Sequence, residues 1–104
     1  MKVKKITFAD MCKEFRAFNA EHDNGEGPAF ITGVVVFKKE NWSESYSLQS
    51  RSYRVSSNNR AFQSGKIANS IFASSLDGSD RGVRLDWYLY RTENPWKIDY
   101  CYLE

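Results

Sequence analysis

The sequence predicts an α+β fold: a single domain in which an antiparallel sheet carries two helices packed on one face, in the order αββαββ. Three observations lead there. An apolar stripe at helical spacing opens the chain, runs rich in Val, Tyr and Phe follow a breaker cluster, and the last part alternates apolar with polar residues. The chain has 104 residues, within reach of one domain of roughly 100–200 residues.

Thr7 is placed to cap a first helix. Phe8, Met11, Cys12, Phe15 and Phe18 share one stripe, with Asp10, Lys13, Glu14 and Arg16 mainly opposite. Asn24-Gly25-Glu26-Gly27-Pro28 ends the helix near His22. Ala29 to Lys38 reads as a strand with Phe30, Val34 and Val36 on one side and Ile31, Val35 and Phe37 on the other. Apolar residues on both sides suit a central strand. A second strand runs from about Glu44 to Val55. Tyr46 and Leu48 differ in parity from Tyr53 and Val55, so a β-bulge is expected between Leu48 and Tyr53.

The spacing of Ile67, Ala68, Ile71, Phe72 and Ser75 predicts a second helix over Gly65 to Ser75, stopped by Asp77-Gly78. Val83 to Tyr90 alternates as a strand, with Val83, Leu85, Trp87 and Leu89 opposite Arg84, Asp86, Tyr88 and Tyr90. After the turn at Glu93-Asn94-Pro95, the last strand runs from Trp96 to Leu103. Trp96, Ile98, Tyr100 and Tyr102 fall on one side of it.

The formal net charge is +2, too small to announce a nucleic-acid binder. It is unevenly spread. Between Ser45 and Arg91 there are seven basic residues and three acids, a local balance of +4. Such an Arg-rich middle suits planar acceptors such as phosphate and carboxylate. Cys12 and Cys101 fit no metal or redox spacing and read as two buried thiols, with a disulfide between them as the alternative. No run approaches the about 18 apolar residues of a membrane span, and no apolar segment follows the basic start, so a cytoplasmic setting without membrane contact is expected.

Catalysis finds little support. His22 is the lone histidine and sits at a fraying helix end, where the helix dipole favours it. The serine pairs lack a nucleophile elbow, no glycine pattern cradles a phosphate, and no cofactor motif appears. The loop Asp77-Gly78-Ser79-Asp80-Arg81-Gly82 is the most site-like segment. Asp77 and Asp80 with Gly78 and Gly82 could hold a cation or an anion, although the pattern is not that of a calcium loop and also reads as a plain tight turn. Arg51, Tyr53, Arg54 and Arg60, together with Arg81, Arg84, Tyr88 and Tyr90, would share one sheet face if the second strand and the 83–90 strand were neighbours. Such a face suits a protein partner, or phosphates and stacked bases; it also reads as an ordinary solvated surface. If Tyr88, Tyr90, Tyr100 and Tyr102 formed one exposed patch, a homodimer across the sheet would be the simplest account.

The runs 51–62, 70–85 and 96–102 (Arg51-Ser52-Tyr53-Arg54, Ser70-Ile71-Phe72-Ala73 and Trp96-Lys97-Ile98-Asp99 begin them) resemble a family of short uncharacterised proteins carried by bacterial phages and conjugative elements. The resemblance covers roughly the second half of the chain and brings no established activity. It implies a mobile-element accessory protein. Taken with the residues, the expectation is a non-catalytic protein-binding module, one form of which is an inhibitor of a host defence system. A nucleic-acid binder is the alternative, and a small-molecule or hydrolytic enzyme would need a deep pocket around Asp77 or Asp86.

Overall fold

The computed structural model describes residues 3–22, 29–41, 47–62 and 70–104. Helix α1 spans Phe8–Glu21. The Thr7 hydroxyl caps it by accepting from the Asp10 N–H at 3.1 Å. At the other end the His22 ring stacks on Phe18 at 3.9 Å, and His22 stays exposed. Strands β1 (Thr32–Asn41) and β2 (Ser47–Ser56) pair in antiparallel register along their whole length. A 3-10 turn at Arg60–Phe62 leads toward β3 (Phe72–Ser75) and β4 (Val83–Arg84). A short helix α2 (Asp86–Tyr90) precedes β5 (Lys97–Leu103).

The sheet order is β4-β3-β2-β1-β5, so β1 is interior, as its two-sided apolar pattern expects. Both helices lie on one face. Met11 and Phe15 of α1 join Val35, Phe37, Val55, Phe62, Ala73 and Cys101 in one buried core, and Tyr88 and Leu89 of α2 pack against it. On the other face Val34 lies between Arg54 and Tyr102, and Val36 between Ser52 and Tyr100. No described helix covers that face.

Four expectations change. Residues 72–75 form a strand, not the end of a helix; the predicted helical part at 65–69 lies outside the described residues. Ile71 and Ala73 are buried while Phe72 between them is exposed, the alternation of a strand. Residues 83–90 divide into the two-residue β4 and the helix α2. Leu85 and Leu89 fit alternation and helical spacing alike, whereas Tyr88 joins them on one face only in a helix, and the Leu89 N–H closes the turn on the Leu85 carbonyl at 3.0 Å. The bulge expected in β2 is absent, since β1 and β2 pair without a shift. The register slips instead between β1 and β5, where Val36 faces Tyr100 but Phe37 faces Ile98. The skipped residue is Asp99. It puts Ile98 and Trp96 on the helix side and leaves Tyr100 and Tyr102 on the other, so these four do not share a side.

Asn19 ties α1 to the end of the β1–β2 pair. Its Nδ2 donates to the Ser57 carbonyl at 2.9 Å and the Phe62 carbonyl at 3.0 Å, inside the core. Both cysteines are free thiols, Cys101 fully buried and Cys12 half-buried. Burial pushes the Cys101 thiol up to about 12, with Cys12 adding to it.

Gly33 sets how closely α1 approaches the sheet. A Cβ there would stand 2.7 Å from Met11 Sδ and 3.2 Å from Phe15 Cζ. Gly33→Val should therefore cost about 1–3 kcal/mol by overpacking. Chemical denaturation of this variant, of Met11→Ala and of the double variant checks it: the double variant should cost less than the sum of the two single costs.

Candidate functional site

The end of the sheet that carries α2 holds most of the aromatic side chains. The Tyr88 ring stacks on Phe37 at 4.8 Å and meets the edge of Trp96 at 6.2 Å. Its hydroxyl lies 3.1 Å from that of Tyr53 and accepts from Arg51 Nη1 at 2.8 Å. The Arg51 guanidinium in turn lies 4.6 Å above the Trp96 ring, and the Lys39 ammonium 5.3 Å from it. Trp96 is only 4% exposed. Arg51, Tyr53 and Tyr88 are thus brought together, by α2 rather than by neighbouring strands, and they act inward: they fasten α2 to the sheet. Burial and the hydrogen bond with Tyr88 raise the Tyr53 hydroxyl to about 12.

Asn94 completes the fastening, and the sequence reading passed over it. Its Nδ2 donates to the Trp87 carbonyl at 2.9 Å and the Arg91 carbonyl at 2.6 Å, while its Oδ1 accepts from the Trp96 N–H at 2.7 Å. One side chain therefore caps the carbonyl end of α2 and starts β5. The Asn-Pro pair in a turn was the available signal, since Asn favours such backbone bonds.

What this end shows to solvent is a different set. Trp87 is 42% exposed, Tyr90 62% and Ile98 36%. Trp87 and Tyr90 are three apart on α2 and so neighbours on its surface. Tyr90 and Ile98 border a cleft of about 420 Å3 with Arg91, Thr92 and Lys97. The rim is basic: Lys39, Arg51 and Lys97 form no ion pair among the described residues, and Arg91 pairs with Glu93.

The other expected residues lie elsewhere, because β3 stands between β2 and β4. Arg54 is on the opposite face, held by Glu104 through two bonds of 2.7 and 2.8 Å. That pairing lowers the Glu104 carboxyl below its ordinary value. Arg84 bonds Asp86 at 3.0 Å and Ser70 at 2.8 Å. Asp86 also accepts from the Ile71 N–H. Arg60 is exposed on the 3-10 turn.

The loop from Leu76 to Gly82 joins β3 to β4. Asp77 Oδ1 accepts from the Ser75 hydroxyl at 2.7 Å, the Ser79 N–H at 2.9 Å and the Ser79 hydroxyl at 2.6 Å. These bonds hold its carboxyl at about 2. Gly78 and Gly82 take positive φ, 77° and 68°. The Asp80 N–H bonds the Ser75 hydroxyl and its carbonyl accepts from the Ser75 N–H, both at 3.0 Å. Asp77 thus organises its own turn. A groove of about 550 Å3 runs beside the loop, lined by Arg54, Arg81, Asn58, Asn59, Phe72 and Ser74 among others.

Among the described residues no three His, Cys, Asp or Glu are grouped to hold a metal ion, and no helix is long and apolar enough to cross a membrane. Compared with protein-family models, curated proteins and solved structures, the chain matches none.

Two measurements test the fastening. Asn94→Ala removes the bond to a buried backbone N–H and the cap, and should cost about 2 kcal/mol in chemical denaturation. Because Tyr53 ionises at higher pH in the folded chain than in the unfolded one, its contribution is full below about 10, the ordinary tyrosine value. It should be lost as pH rises toward about 12. Stability measured across this range should fall less steeply with pH in Tyr53→Phe than in wild type.

Proposed function

We propose that this chain is a non-catalytic protein-binding module that works in the cytoplasm and takes its partner on the α2–β5 end of the sheet. The observation that carries this reading is the contrast between two sets of rings. Phe37, Tyr53, Tyr88 and Trp96 are locked to one another and to Arg51, while Trp87 and Tyr90 of the same short helix stand in solvent. Exposed aromatic side chains on a rigid footing lose little entropy on binding, which is why such residues dominate contact energies. The surrounding Lys39, Arg51 and Lys97 favour a partner with carboxylates at its rim.

The resemblance to short phage and conjugative-element proteins supports an accessory role in a mobile element. Inhibition of a host defence protein is a form this contact takes. A chain of net charge +2 is unsuited to mimic DNA, so the inhibition would proceed by surface contact. The non-catalytic reading is supported by Asp77 and Asp86, the carboxylates that a hydrolytic site would use. Asp77 is bonded within its own loop, and Asp86 to Ser70, Ile71 and Arg84.

Capture from nuclease-treated bacterial lysate tests the reading. Wild type should retain a discrete protein. Tyr90→Glu combined with Ile98→Glu should weaken its binding by about thirtyfold or more, the size of a hot-spot loss, with the melting temperature little changed. Equal retention by both, or a signal present only before nuclease treatment, turns the reading down.

A further inference from the structure

On the other face of the sheet, we infer a second binding site, independent of the first, in which the groove beside the Leu76–Gly82 loop takes a nucleotide, its base on Phe72 and its phosphate on Arg81. Phe72 is the most exposed phenylalanine on a described strand, at 48%. It opens β3, where it pairs with Arg84 of β4, and it borders a groove of about 550 Å3. A ring in that position is a flat apolar platform held by a sheet. The Asn59 side chain fixes it further, donating to the Phe72 carbonyl at 2.7 Å.

The cations around the groove are not equivalent. Arg54 is neutralised by Glu104 through both carboxylate oxygens. Arg81 lines the same groove and has no hydrogen bond or ion pair among the described residues. Asp77, on the same rim, directs Oδ1 at Ser75 and Ser79 of its own turn. The remaining lining includes Ser56, Asn58 and Ser74, which offer hydroxyl and amide groups. An aromatic platform, a guanidinium free among the described residues and neutral polar groups, with the Asp77 carboxylate drawn into its own turn, match a base with its phosphate. Base–aromatic stacking tolerates any base, and one phosphate contact adds a salt-dependent increment.

A free nucleotide and a unit of single-stranded nucleic acid share this chemistry. Fluorescence anisotropy with a labelled oligothymidine of about ten nucleotides, the scale of a small single-strand site, and competition by thymidine monophosphate separate them. Binding is expected at about 50 mM salt and should weaken as salt is raised. Phe72→Ala should reduce it about tenfold, Phe72→Trp should restore it, and Arg81→Glu should reduce it while flattening the salt dependence. Competition by the monophosphate at concentrations comparable to the oligonucleotide assigns a free nucleotide; competition by the oligonucleotide alone assigns a strand. Arg60→Glu, outside the groove, is the charge control, and thermal melting confirms that each variant folds. The inference is overturned if neither probe binds at low salt, if Phe72→Ala binds like wild type, or if Arg60→Glu loses as much as Arg81→Glu.

Discussion

Between the pairs Val36–Tyr100 and Phe37–Ile98, the partnership of β1 with β5 skips one residue, Asp99. A strand alternates its side chains strictly, so one skipped residue exchanges the faces of everything on one side of it. With Cys101 fixed in the core opposite Val35, an unbroken β5 would send Ile98 and Trp96 to the uncovered face. The bulge returns them to the helix side. There Trp96 becomes the floor on which Arg51, Lys39 and Tyr88 are arranged. The placement of α2 follows from this, because its inward ring, Tyr88, touches Phe37, Tyr53 and Trp96 at once. Asp99 itself lies within 3.9 Å of Lys38, an exposed pair of small energetic value.

The parts of the fold that were legible in the sequence are those where one period had no competitor. The α1 stripe repeats over three turns and has a capping threonine before it, and the β1 run is apolar on both sides. The end of the chain was legible as a strand but not in its facing, since a bulge leaves no mark in composition. Segments 71–75 and 83–90 misled for a common reason. Both are short, and in each a pair of residues four apart, Ile71 with Ser75 and Leu85 with Leu89, fits the strand and the helical spacing equally. Which fit prevails depends on hydrogen-bond partners far along the chain. Arg54 pairing with Ser74 draws 72–75 into the sheet, and Asp86 reaching the Ile71 N–H sets α2 beside it.

The candidate surfaces show the same limit. Counting Arg and Tyr residues located the chemistry but could not separate side chains spent on the fold from those left over. Arg51 is spent on Tyr88 and Trp96, Arg54 on Glu104, and Arg84 on Asp86. Asn19 was invisible as an organiser because its partners are backbone carbonyls, which every residue carries, and Asn94 was marked only by its place before a proline in a turn. Buried amide groups of this kind are expensive to leave unpaired, so their positions are more constrained than those of the exposed arginines.

The two faces of the sheet therefore differ in how their polar groups are used. On the helix side the cations serve as lids over aromatic rings, and the rings that remain in solvent belong to α2, whose orientation is fixed by three separate contacts to the sheet. On the other side small hydroxyl residues, Ser52, Ser56 and Ser74, line β2 and β3, Tyr100 and Tyr102 stack on β5, and Phe72 stands far from them in a groove it shares with Arg81, which has no partner among the described residues. A broad interface against a folded partner requires several large side chains that move together, which α2 and the start of β5 supply. A groove edged by one ring and two arginines, one of them paired with Glu104, is suited to a ligand of about its own size. The two surfaces are separate but linked: β3 and β4 lie at the edge farthest from β5, yet Asp86 at the start of α2 accepts from the Ser70 hydroxyl and the Ile71 N–H just before Phe72, so the Ser70–Asp86 contact is the short path between them.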